Sequence, residues 1–196
     1  MVSMVMISRG RMPTGEKFLQ VFNELNSATD RAAAIVGGSI VELALQSALE
    51  AQLHRDEELT NSLFRPSGAL GAFAAKISLG FLVGIYGQDG RKELTIIKNI
   101  RNAFAHRLDI DGFDDVAIRD KVLNLTFGDR YAIDVQQRPP PNRDHSLPIG
   151  DWPWWFSVMN KDEALKSPRQ RFLMSVSAMT YGLSLPHQVA MPQPHF

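Results

Sequence analysis

An arginine, an asparagine and a histidine stand close together in one run of the sequence, "KNIRNAFAHRL" at residues 98–108. Arg101 carries a planar cation that pairs well with phosphate oxygens, and His106 can exchange a proton near neutral pH. Asn102 can orient a hydroxyl or a phosphate group. Metal-independent RNA cleavage needs such groups: a general base, a general acid and a cation that stabilises the phosphorane. One alternative is therefore a catalytic set, Arg101, Asn102 and His106, in a ribonuclease.

The same residues also fit a structural role between helices. Glu42 is the sole acidic residue between Asp30 and Glu50, in a segment too apolar to leave a carboxylate unpaired. On this interpretation Arg101 pairs with Glu42, and His106 bonds to a backbone carbonyl or a side chain. The sequence predicts that Glu42 lies within hydrogen-bonding reach of Arg101 or His106. Asp30 is expected to support the fold from the first turn of its helix.

Helical periodicity places the polar residues of this run on a continuous stripe beside an apolar face. The stripe includes Arg91 and Lys98, which are candidate contacts for a phosphate group or RNA. Residues 88–107 contain five basic and two acidic residues. The predicted helix is therefore locally positive, and neither the catalytic nor the structural alternative is excluded.

The composition limits the classes of function. With 21 basic and 21 acidic residues the formal net charge is zero, so the chain lacks the basic surplus of a protein that neutralises many DNA phosphates, and direct specific DNA binding is not expected. The absence of cysteine excludes thiol chemistry and cysteine-based zinc sites and suits a reducing cytoplasm. The five histidines lack the spacing of a metal site, so we expect no metal and no cofactor.

The elements that must position these groups are predicted to be almost entirely helical, giving an all-α, compact helical bundle. The predicted organisation is a flexible leader (1–13), a helical bundle domain (14–127), a connection rich in proline and tryptophan (128–165), a C-terminal helix that docks back on the bundle (166–185) and a tail (186–196). The role of the tryptophans in the connection stays open between internal packing and partner binding.

Capping residues and breakers predict where the helices begin and end. The predicted N-caps are Thr29, Ser67 and Ser167, and helices are expected at residues 15–26, 30–54, 56–63, from Ser67 to about Gly84, at 91–108, at 114–124 and from Pro168 onward. The adjacent glycines Gly37 and Gly38 are expected to let a neighbouring backbone approach closely. Charges within the apolar runs at 32–45 and 69–87 predict buried helices and no membrane span.

The order of these segments resembles a known family. "SATDRAAAIVGGSIVELALQSAL", "LFRPSGALGAFAAKISLGFLVGIYG" and "LTIIKNIRNAFAHRLD" together are similar to the mannitol operon repressor family over roughly residues 27–125. The run "RNAFAH" also resembles the arginine-to-histidine signature of the HEPN superfamily, within or close to which the repressor family is placed. One HEPN branch carries a tyrosine two residues after the histidine for modification by a nucleotidyltransferase, and Leu108 stands there instead.

The resemblance implies a helical regulatory domain of bacteria that forms a homodimer and represses through contact with an unidentified partner protein. The wider superfamily implies the rival function, in which Arg101 and His106 of two copies meet in a ribonuclease cleft that binds RNA. The resemblance therefore adds a function to each of the two alternatives that the residues left open.

Overall fold

The computed structural model describes residues 16–54, 56–127 and 166–184, and no strand occurs within these ranges. Their helices are α1 (Glu16–Ser27), α2 (Asp30–Glu50), α3 (Glu57–Phe64), α4 (Phe73–Leu82), α5 (Gln88–His106), α6 (Val116–Val122) and α7 (Pro168–Ser184). The predicted all-α helical class is confirmed. The expected leader, the proline- and tryptophan-rich connection and the tail lie outside the described residues.

Helix α2 is the centre of the core. It packs against α1, α4, α5 and α7, and ten of its residues are buried, most of them small or aliphatic. By length and apolarity it meets the criterion for a membrane-crossing helix, with a mean hydropathy of 1.6, yet 56% of that window is buried inside the protein. The core helix of a bundle has the same composition because protein surrounds it on most sides.

Two of the predicted N-caps are present. Thr29 Oγ1 accepts a hydrogen bond from Ala32 N at 3.3 Å at the start of α2. Ser167 Oγ accepts one from Gln170 N at 3.4 Å at the start of α7, whose first residue is Pro168. Both contacts satisfy backbone N–H groups that the first helical turn leaves without a partner.

Ser67 does not cap a helix, which corrects the sequence prediction. Helix α4 begins at Phe73 without a side-chain cap, because the chain before it forms tight turns. Gly68 N donates to Arg65 O at 2.7 Å, and a Cβ on Gly68 would lie 2.3 Å from the carbonyl oxygen of Leu63. The turn therefore packs against the end of α3 at Gly68, where a larger residue would not fit. Because the chain is in this turn, α4 begins only at Phe73.

The first helical positions of α5 and the last of α2 also differ from the prediction. Helix α5 starts at Gln88 rather than at 91, after an N-cap at Gly87, because residues 88–90 already form its first turn. Helix α2 ends at Glu50 rather than at 54. Neither shift moves the polar residues of α5 off their helix.

Helix α7 closes the described part of the bundle. It packs against α2, α5 and α6, and every residue from 172 to 180 is buried. Phe172 joins an aromatic series in which the ring centroids of Phe104 and Phe113, and those of Phe113 and Phe172, lie 5.1 Å apart. These tilted pairs tie α5 and the segment after it to α7.

Candidate functional site

Helices α2 and α5 are in close contact at Gly38 of α2 and Arg101 of α5. A Cβ built on Gly38 would lie 2.6 Å from Cβ and 2.8 Å from Cγ of Arg101, which is closer than such carbons can approach. The absence of a side chain on Gly38 therefore makes room for Arg101 at the helix contact. The guanidinium group then reaches Glu42, which stands one turn further along α2.

Glu42 is shared by two cations. Its Oε1 lies 2.8 Å from Lys76 Nζ and its Oε2 lies 3.3 Å from Arg101 Nη2, and the exposed fractions of the side chains are 14% for Glu42, 6% for Lys76 and 30% for Arg101. We call these three residues the charged triad. The contact expected between Glu42 and Arg101 is thus present, whereas the lysine from α4 was not anticipated as a partner.

The two ion pairs of the charged triad are unequal. The Lys76–Glu42 contact is short enough for a charge-assisted hydrogen bond and is largely screened from water, so the loss of either partner would leave a buried charge. The Arg101 contact is longer and its guanidinium is partly in solvent, where an ion pair contributes less to stability. Lys76 therefore contributes more than Arg101 to neutralising the charge of Glu42.

Asn102 belongs to the same cluster, but His106 does not. Asn102 is half-buried, and its Oδ1 accepts a hydrogen bond of 3.3 Å from Arg101 Nη1. His106 is the exposed last residue of α5. Within the described ranges its side chain has neither a hydrogen bond nor an ion pair, so the hydrogen bond expected for it under the structural alternative is not seen.

The two candidate phosphate contacts differ in their surroundings. Arg91 is exposed, and its guanidinium carbon lies 5.0 Å from the centroid of the Phe81 ring at the end of α4, which is cation–π distance. Lys98 is half-buried. It lies one turn before Arg101 on the same helix, so the two cations are neighbours on its surface.

Asp30 supports the fold at a different place, where α7 meets the start of α2. Its Oδ2 accepts a hydrogen bond of 2.9 Å from Phe113 N, and its Oδ1 pairs with Arg169 of α7. The same guanidinium also donates to the C-terminal end of α1 and the residue after it, through bonds of 2.8, 3.1 and 2.7 Å to the carbonyl oxygens of Leu25, Asn26 and Ala28.

Two further polar side chains, Arg31 and Glu93, bond to the backbone of other segments and were not predicted from the sequence. Arg31 donates to backbone carbonyls beyond and at the end of α5, namely Phe104 O, Arg107 O at 3.2 Å and Ile110 O at 2.9 Å. Glu93 is 2% exposed, and its carboxylate accepts hydrogen bonds of 3.1 Å from Thr126 N and Phe127 N. The buried role of Glu93 could have been predicted, because its carboxylate lies on the apolar face of α5. Nothing in the sequence indicates that Arg31 donates to carbonyl oxygens.

Three of the described side chains outside the charged triad have perturbed pKa values. Hydrogen bonding to Asp109 raises the pKa of Arg107, and the same contact lowers the pKa of Asp109, but both side chains are exposed. Burial raises the pKa of Tyr86 well above its ordinary value, an effect that the positive charge of Arg91 partly offsets. The Tyr86 hydroxyl donates to Ile77 O at 2.7 Å.

The chemistry available at Arg101 and its neighbours on α5 is the binding of an anion. Arg101, Asn102 and Lys98 carry N–H donors on one side of this helix. Among the residues that the structure describes, no group of three or more histidine, aspartate and glutamate side chains is arranged for a metal ion. A nucleophile beside a general base is also not seen next to Arg101 in those ranges.

Comparison with known proteins identifies the fold. No protein-family model matches the chain, and no curated protein matches it. A chain in the X-ray structure of the MtlR–HPr complex from Escherichia coli is similar in three dimensions, with a TM-score of 0.56 and 18% sequence identity, over 85% of this chain and 98% of that one. At this identity the likeness is one of fold, so the chain has an all-helical, MtlR-like fold.

Proposed function

We propose that this chain is a regulatory domain of the mannitol-repressor type, which acts by binding another protein and does not read DNA itself. The observation that carries the proposal is the likeness of its fold to a chain from a complex of MtlR with HPr. The zero net charge supports the second half of the proposal, because a protein that binds DNA alone usually neutralises many phosphates with a basic surplus.

The proposal includes a partner and an assembly. The partner is an HPr-like protein, the active assembly is a homodimer, and the protein works in the bacterial cytoplasm. Isothermal titration of the full chain with HPr from Escherichia coli and from the chain's own source measures the binding of the partner. Light scattering after gel filtration measures the mass of the assembly, which should be twice that of the 21.9 kDa chain.

The decisive comparison sets protein binding against DNA binding. We expect saturable binding of HPr from the chain's own source at about 150 mM salt, and no sequence-dependent shift in the fluorescence anisotropy of labelled promoter DNA from the same source. Tight binding of that DNA by the purified chain, with no binding of HPr, would overturn the proposal.

The ribonuclease function, with membership of the HEPN superfamily, remains the alternative that the sequence raised. It requires Arg101 and His106 to act on one phosphate, but Arg101 pairs with Glu42 and His106 stands at the exposed end of α5. Wild type and His106→Ala should both leave mixed single-stranded RNA intact in EDTA. Because the His106 side chain makes no hydrogen bond or ion pair within the described ranges, the variant should melt with the wild type, so cleavage by wild type alone would establish the ribonuclease.

A further inference from the structure

Arg31, Arg101 and Arg169 each bond across a helix contact, and Arg101 has the fewest bonds of the three. Arg31 donates to three backbone carbonyls, and Arg169 donates to three carbonyls and pairs with Asp30. Within the described ranges Arg101 has one hydrogen bond, of 3.3 Å to Asn102, and one ion pair of the same length to Glu42. A guanidinium group has five N–H donors, so Arg101 retains donors for a further acceptor.

The charge of the triad points the same way. One carboxylate, Glu42, faces two cations, and in the described part of the chain no second carboxylate lies within ion-pair distance of Lys76 or Arg101. Lys76 is almost fully buried, and Lys98 stands one turn from Arg101 on α5. The triad therefore carries a net positive charge, and a bound anion at Arg101 would lower its energy.

We propose that Arg101, Asn102 and Lys98 form a site that binds an acidic side chain, Asp or Glu, of a partner protein. The planar guanidinium of Arg101 fits a carboxylate. Asn102 accepts from Arg101 through its oxygen, which leaves its amide N–H groups as donors, and Lys98 adds a second cation. The site rests on the proposed function, since it supplies a contact for the protein partner named there.

The surrounding surface favours a protein over RNA as the bearer of the anion. Val36 and Leu43 of α2, the helix that carries Glu42, are 44% and 36% exposed, and exposed aliphatic side chains of this kind are commonly covered by a protein partner. The large exposed hydrophobic residues in the described ranges are all aliphatic. Binding of single-stranded RNA relies on aromatic side chains on which bases stack.

The probe is a hexaglutamate peptide, blocked at both ends and titrated into the isotopically labelled full chain. We expect the Nε–Hε signal of Arg101 to move with saturation. Asn102→Asp, which places a carboxylate in the site, should weaken binding by roughly five-fold or more. The matched control is Lys92→Gln, an exposed change ten residues before Asn102 on α5 that alters the net charge equally, and it should weaken binding less than about two-fold.

Three outcomes would overturn the site. The first is an Arg101 signal that stays fixed in the wild type, a measurement that needs no variant to fold. The second is an equal weakening of binding by the two variants, which would mean diffuse attraction. The third is movement of the same signal by oligouridylate RNA of equal charge at lower concentration. Each outcome is independent of the HPr titration, so failure of this site is distinguishable from failure of the proposed function.

Discussion

Gly38 on α2 lies against the first side-chain carbons of Arg101 on α5, at a separation that leaves no room for a methyl group. The contact brings the two helix backbones together and directs the arginine toward Glu42. A residue without a side chain therefore positions the most exposed cation of the charged triad.

Substitution of Gly38 by alanine should destabilise the protein, although alanine favours a helix by about 1 kcal/mol. The new methyl group would meet Cβ of Arg101, an atom fixed to the α5 backbone, so overpacking of about 1–3 kcal/mol should exceed that gain. Urea unfolding measures the difference. Gly182→Ala is the control, because a Cβ there meets nothing within 4 Å and should be neutral or stabilising. Equal stability gains in both variants would contradict the close contact.

Removal of the Glu42 charge should be costly because it leaves two cations close together. We expect Glu42→Gln to lower the free energy of unfolding by about 3 kcal/mol, mainly through the buried Lys76. The double variant Glu42→Gln with Lys76→Met should recover most of the loss, since no buried ammonium group then remains. Thermal and urea unfolding of the three proteins test this. A double variant no more stable than Glu42→Gln would show that burial of Lys76 is not the cause.

Arg169→Lys should loosen the attachment of α7 although it retains the positive charge. A lysine ammonium group cannot reproduce the planar fork that bonds to Asp30 and to three carbonyls at the C-terminal end of α1. A loss of about 2 kcal/mol is expected, with faster amide hydrogen exchange at the start of α7. Arg119→Lys on the exposed face of α6 is the control and should change neither measurement. Slow exchange in Arg169→Lys would mean that apolar packing alone holds the helix.

Alkaline pH should destabilise the fold through Tyr86. Burial raises the pKa of this tyrosine in the folded state above its ordinary value of 10.0, so folding favours the protonated phenol. The stability from this preference is complete below about pH 10, the pKa of an unfolded tyrosine, and is lost as the pH rises above it toward the folded pKa. Urea unfolding between about pH 8 and pH 11 should show this decline.

The variant Tyr86→Phe separates this effect from other alkaline titrations. It should lose about 1 kcal/mol at neutral pH, because the hydrogen bond to Ile77 O is removed. Above about pH 10 its stability should decline less steeply than that of the wild type, since the group that resists ionisation is gone. Parallel declines in the two proteins would assign the alkaline loss to other groups.

Much of the fold could be predicted from local pattern. The apolar spacing of α5, the Thr29 cap and the Ser167–Pro168 start of α7 each depend on residues within one or two turns, and they appear in the structure where they were expected. The start of α4 could not be predicted, because it depends on Gly68 folding against the carbonyl of Leu63. That contact depends on how the turn packs against the end of α3, which the residue types alone do not predict.

The sequence by itself determined that the protein is helical, that α2 is its central helix, and that Glu42 needs a cation. Only the tertiary structure decided that Lys76 of α4 is the closer partner and Arg101 the looser one. It likewise decided that Arg31 and Arg169 bond backbone carbonyls. The physical reason is distance along the chain: helical periodicity relates residues three or four apart, whereas these contacts join residues tens of positions apart and exist only once the helices have packed.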